Sequence, residues 1–185
     1  MEKGTKLQRR NRVNDSRVTS LDITAAIGLA VGGAFGVAGT FVGHAAVRQE
    51  LWGIDAVGLI VATALLALKY FRKGDDCVAA GFLVFVAGET LVLSDTAAGL
   101  AASVPSFGAG VALWSASLLM TSLPKAFPIW SRVSGTVAAI IFATSAVRIF
   151  WGEQLLPTAA PLPLAGYPFL VLALVGWIVR SLKSA

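Results

Sequence analysis

Residues 23–43 read ITAAIGLAVGGAFGVAGTFVG, 21 residues without a charge. A hydrocarbon core about 30 Å thick needs roughly 20 apolar residues in a helix, so this stretch is long enough to cross a bilayer. Its glycines are ordered. Gly28, Gly32 and Gly36 follow one another at i+4, and Gly39 and Gly43 continue the line. At about 100° per residue the five fall within roughly 80° of one another. A smooth ridge of this kind lets a second helix approach closely, the small-xxx-small mode of association in lipid. The chain therefore reads as all-α, a polytopic transmembrane helical bundle with this helix as its packing spine.

The rest of the chain agrees. Of its 185 residues 56% are hydrophobic and 14% charged, where a soluble domain carries about 25% charged residues. Five more apolar stretches follow, at about 53–71, 77–94, 107–123, 130–151 and 164–179. They are separated by turn and proline signals such as Gly74-Asp75-Asp76, Pro105, Pro124, Pro128 and the run from Pro157 to Pro163. The expected organisation is a basic tail, 1–20, and one six-span domain, 21–185.

The net charge of +5 does not point to nucleic acid, because the basic residues sit between apolar spans. The tail carries Lys3, Lys6, Arg9, Arg10, Arg12 and Arg17. Thirteen of the 15 Lys and Arg fall on one side of the expected topology, leaving Arg48 and Arg148 on the other. By the positive-inside rule both termini should be cytoplasmic, with the chain in a plasma (inner) membrane. Trp52, Phe107, Trp151 and Tyr167 fall at outer span ends, and Tyr70, Trp130 and Trp177 at inner ends, as interfacial belts do. Trp114 lies inside the fourth span and reads as a packing residue. The lone Cys77 excludes an intrachain disulfide.

Charges within spans are the candidates for function. Glu89 lies about five residues inside the third span, on a face otherwise made of Val78, Phe82 and Phe85. Arg148 lies near the outer end of the fifth, on a face with Ser134, Ile141, Thr144 and Ser145. A shift of 59 residues, which aligns Ala79-Ala80 with Ala138-Ala139, also aligns Glu89 with Arg148. Ionisable groups at such depth are paired or functional. The favoured expectation is an interhelical Glu89–Arg148 ion pair. The alternative is a proton or cation site formed by Glu89, Asp55 and Arg148. Asp55, near the expected start of the second span, also suits a helix N-terminus. Glu50, Asp95 and Glu153 read as solvated loop charges.

His44 is the only histidine. With Glu50 and Asp55 it is the nearest approach to a metal-ligand set, without a ligand-spacing signature. One histidine cannot make a bis-histidine haem site, and Met120 falls at the opposite membrane face, so no cofactor is expected. Gly108, Ser115 and Ser122, spaced by seven and joined by Val111 and Leu118, read as a packing seam rather than a solute path. The chain contains no H-E-x-x-H, G-x-S-x-G or C-x-x-C, so a non-enzymatic role is expected.

The segment Leu123-Pro124-Lys125-Ala126-Phe127-Pro128-Ile129-Trp130, the following Gly135, and Tyr167-Pro168 opening the last span resemble small six-span bacterial inner-membrane proteins. The likeness covers the C-terminal half. It implies membrane residence and no particular chemistry.

The first functional expectation is an accessory or scaffold component, using the glycine ridge to hold a partner helix or a second copy of the chain within the lipid bilayer. The alternative is a small-solute or proton-coupled transporter using Glu89, Asp55 and Arg148. Burial discriminates them. A scaffold leaves the ridge open, whereas a transporter turns Glu89 and Asp55 into one cavity.

Overall fold

The computed structural model describes residues 18–96 and 100–183. The six basic residues of the amino-terminal tail lie outside them. Six helices follow in order: α1 Ser20–Phe41, α2 Ala45–Arg72, α3 Asp76–Thr96, α4 Val104–Ser122, α5 Ile129–Phe150 and α6 Gly166–Leu182. Five of them, α1 to α5, are long and apolar enough to cross a membrane, and α6 is a shorter apolar helix of 17 residues. The protein is an integral, multi-pass membrane protein. Ile27, Val57, Leu83, Val133, Ile140 and Leu172 project outward from five different helices and are all exposed, which is the surface a lipid-facing bundle requires.

Local signals set the ends. Thr19 caps α1 in a reciprocal capping box with Asp22. Pro105 occupies the first turn of α4 and Pro128 precedes α5, positions where the missing N–H costs nothing. Arg132 donates through Nε and Nη2 to the carbonyls of Ser122 and Leu123, which satisfies open acceptors at the end of α4. Arg180 Nε donates to Ala126 O of the α4–α5 connection at 3.1 Å.

Each helix packs against its sequence neighbours, and α6 closes on α1. The result is a ring of six antiparallel helices. We call the end carrying the α1–α2, α3–α4 and α5–α6 connections the upper end, and the other the lower end. The ring is held by close backbone approach. A Cβ on Gly28 would lie 2.8 Å from Gly58 O and 2.9 Å from the Ala62 Cβ, so α1 and α2 meet with almost no side chain between them. On α4, Ser115 Oγ donates to Ala139 O at 2.8 Å, while Gly108 lies against Ile149 and Gly135 of α5 against Ser122. The seven-residue seam is therefore helix glue between α4 and α5, as its spacing suggests.

The lower half of the ring is filled with aromatic rings. Trp177 of α6 meets Phe82 and Phe85 of α3 edge-on, at 4.9 and 5.8 Å between centroids. Tyr70, Phe127 and Phe82 pack together beside them. Such edge-to-face contacts add to the burial of large apolar surface. At the lower end Lys69 Nζ pairs with Asp22 Oδ1 at 2.5 Å between α2 and α1.

Two expectations change. The stretch 44–52 is not a connection. It forms the first turns of α2, which starts at Ala45 with His44 as its N-cap residue. Asp55 accordingly lies ten residues inside the helix, about 15 Å from its start, and does not cap it. The ridge is also not open. Gly28, Gly32, Gly36 and Gly39 are covered by α2 of the same chain, through Gly58, Leu59, Asp55 and Trp52 in turn, and Gly43 lies beyond the helix with nothing within 4 Å.

Candidate functional site

Above the aromatic layer the ring is hollow. A cavity of about 240 Å³ is lined by α1, α2, α3, α4 and α6, with Pro157 of the α5–α6 connection at its rim. The small residues of α1 and α3 make the room. Gly36 sits where any Cβ would come within 2.6 Å of the Asp55 carboxylate, and Gly88 where one would come within 2.8 Å of the Trp114 ring. The glycine ridge thus serves two purposes, close packing at Gly28 and space for side chains at Gly36.

On α2, Arg48, Trp52, Asp55 and Leu59 follow at i, i+4, i+7 and i+11, one face of a helix, and all four line the cavity. Arg48 sits at the rim. Its Nη2 donates to Val42 O at 2.6 Å and its guanidinium lies 5.8 Å from the Trp52 ring centroid, within cation–π range. Glu89 projects from α3 and is 2% exposed. Trp114 of α4 stacks on Phe85, one turn below Glu89, with centroids 5.9 Å apart. Tyr167 of α6 donates from Oη to Pro157 O at 2.9 Å, tying the α5–α6 connection over the cavity.

The polar atoms here are short of partners. Asp55 Oδ1, Glu89 Oε2, Trp114 Nε1 and Arg48 Nε are buried without a hydrogen-bond partner. Trp114, Glu89 and Asp55 all line the one cavity, and no hydrogen bond satisfies the indole N–H. Burying a carboxylate without compensation is expensive, and native interiors leave few such groups. Here two such carboxylates, from α2 and α3, line one cavity.

The expected Glu89–Arg148 pair does not form. Arg148 turns to the exposed α5–α6 connection, where its Nη2 lies 2.7 Å from Glu153 Oε2. The cause is depth. Glu89 is seven residues from the end of α3, whereas Arg148 is two from the end of α5, so equal spacing from the alanine pairs did not mean equal height. Glu50 and Glu153 are exposed, as solvated charges should be. His44 is exposed and makes no side-chain cap. Among the described residues no three His, Cys, Asp or Glu gather as a metal site.

Sequence reading missed Trp52, Phe107, Trp114 and Tyr167 as parts of the site, taking Trp114 for core and the other three for interfacial belt residues; Tyr70 and Trp177, also read as belt residues, are buried in the aromatic layer instead. The face Arg48-Trp52-Asp55-Leu59 was the available signal, hidden because its first two residues read as a connection. Comparison of the chain with family models, with curated proteins and with solved structures gives no match. The functional reading therefore rests on the cavity.

Proposed function

We propose that the protein is a small-solute or proton-coupled transporter whose binding site is the upper cavity, with Asp55 and Glu89 as its charged groups. One observation carries this reading: two carboxylates from different helices line one cavity, each with a buried oxygen that has no partner. Arg148, engaged with Glu153 outside the cavity, takes no part. Association through the ridge is not favoured, because α2 already covers it. Any partner protein or second copy would dock on the lipid-facing surface instead. The function needs no covalent step, and the polar groups in the cavity suit binding rather than catalysis.

The thirteen basic residues assigned to the lower side support an arrangement in the plasma (inner) membrane with both termini cytoplasmic and the cavity opening outward. The test is uptake into vesicles from cells expressing the protein, using a panel of radiolabelled amines, amino acids, sugars and carboxylates under an imposed pH gradient. At least one solute should accumulate with the native protein and not with Glu89→Gln. If none does, the transporter reading is wrong.

A further inference from the structure

The cavity's own chemistry narrows what it takes. Its walls are aromatic and aliphatic: Trp52, Phe107, Trp114 and Tyr167 face it together with Leu59 and Leu174. Its charged groups are Asp55, Glu89 and Arg48. Arg48 is held at the rim by Val42 O and the Trp52 ring, and neither carboxylate forms an ion pair among the described residues. The floor thus offers two carboxylates without an ion-pair partner among the described residues, beside π faces. Aromatic faces and carboxylates share one preference, a cation with an apolar body. A hydrated metal ion would instead ask for several converging oxygens, which the lining lacks.

Resting on the transporter reading, we infer that the cavity binds a monovalent organic cation, an amine or quaternary ammonium of aromatic size, in exchange for one proton held between Glu89 and Asp55. The balance is simple. The empty cavity holds the proton. The cation enters from the upper end, its charge takes the proton's place beside the carboxylates, and the proton leaves to the water above. No bond other than O–H is broken. The titratable or charged groups facing Glu89 are Asp55 and Arg48 from α2 and Tyr167 from α6. The parts of α1 and α4 that line the cavity bring none, and α5 does not line it.

The probe is benzyltrimethylammonium, which carries a fixed charge and cannot itself titrate. Its neutral isostere is neopentylbenzene, and benzoate supplies the opposite charge. Binding to the purified full chain in nanodiscs is followed by tryptophan fluorescence, since Trp52 and Trp114 line the cavity. Proton release is read calorimetrically in buffers of different ionisation heat. Benzyltrimethylammonium should bind at least tenfold more tightly than either control. Its affinity should rise by up to about tenfold per pH unit while the site is protonated, the slope for one displaced proton. Glu89→Gln should abolish both binding and proton release. Because that variant could fold poorly, the pH slope of the native protein is the decisive second measurement. Equal binding of the neutral isostere, or a flat pH slope with no proton released, overturns the inference. Tight binding of the isostere or benzoate alone overturns the cation class and leaves the transporter reading standing, and solute uptake with no binding of benzyltrimethylammonium does the same.

Discussion

Gly28→Ala isolates the contact on which the ring closes. The added methyl would lie 2.8 Å from Gly58 O and 2.9 Å from the Ala62 Cβ, where ordinary carbon contacts are about 3.5–4.0 Å. Both obstacles are fixed to the α2 backbone, so α1 and α2 must separate by roughly 0.5–1 Å. Overpacking of this kind costs about 1–3 kcal/mol, and a contact that no side-chain rotation can relieve belongs at the upper end. Helix propensity works the other way and returns about 1 kcal/mol for glycine to alanine. The net expectation is a loss of roughly 2 kcal/mol. Gly53→Ala is the control, since that glycine is in α2 with nothing within 4 Å of the added methyl, and it should be neutral or slightly stabilising. The assay is unfolding of the purified protein in mixed micelles by dodecyl sulfate titration, followed by tryptophan fluorescence. If Gly28→Ala matches or exceeds Gly53→Ala in stability, the backbone contact is not what holds α1 to α2.

Three further outcomes follow from particular contacts. Lys69→Met should destabilise by about 3 kcal/mol, because it leaves the 4%-exposed Asp22 charged and unpaired, and adding Asp22→Asn should restore much of the loss in a double-mutant cycle. Arg148→Ala should leave the melting temperature unchanged, since both partners of the Arg148–Glu153 pair are more than a third exposed; a large drop would mean that Arg148 has a partner inside the bundle. In a Cys77→Ser background, a cysteine at Val171 should react with a charged thiosulfonate from outside intact cells, and be protected by benzyltrimethylammonium. Native Cys77, exposed near the start of α3 at the lower end, should react only after the membrane is opened, and labelling of it from outside would reverse the orientation.

What the sequence made legible is what local chemistry decides. Apolar runs of span length, proline and glycine punctuation and the ridge itself all mark helices without reference to neighbours. The α4 seam was legible too, because a seven-residue spacing of Gly108, Ser115 and Ser122 carries its own geometry. The start of α2 was not, because Arg48, Gln49 and Glu50 look like a connection when counted as polar residues. On the helix they occupy the turns near the upper rim, where the ends of long side chains reach water, so polarity there is compatible with helix. That one boundary moved Asp55 from a cap to the interior. The partner of Glu89 was illegible for another reason. Depth in the membrane depends on where each helix ends, and α3 runs past Glu89 for about two turns while α5 stops just after Arg148. Only the closing of the ring decides which helices share the hollow half.

That division of the ring sets the conditions the proposed carrier must meet. The upper half is open and carries the carboxylates, while the lower half is closed by rings that are almost wholly buried, with Phe82 and Phe85 at 0% and Trp177 at 2% exposure. A solute reaching Glu89 from above meets Phe85 one turn further down the same helix, stacked on Trp114 and edge-on to Trp177. Release below therefore requires α3 to move relative to α4 or α6, since those rings belong to all three. The contacts differ in how readily they yield. The α3–α4 approach is made through Gly81 and Gly88, where a methyl would meet the Met120 Cβ at 2.9 Å and Gly110 O at 2.9 Å, so the two helices are close-packed at both levels. Trp177, by contrast, meets α3 through side chains alone, and α6 has no direct backbone contact with α3 in the ring. The aromatic contact between α3 and α6 is thus the part of the lower layer that can separate without breaking a close-packed helix pair, so the proposed carrier would have to open there.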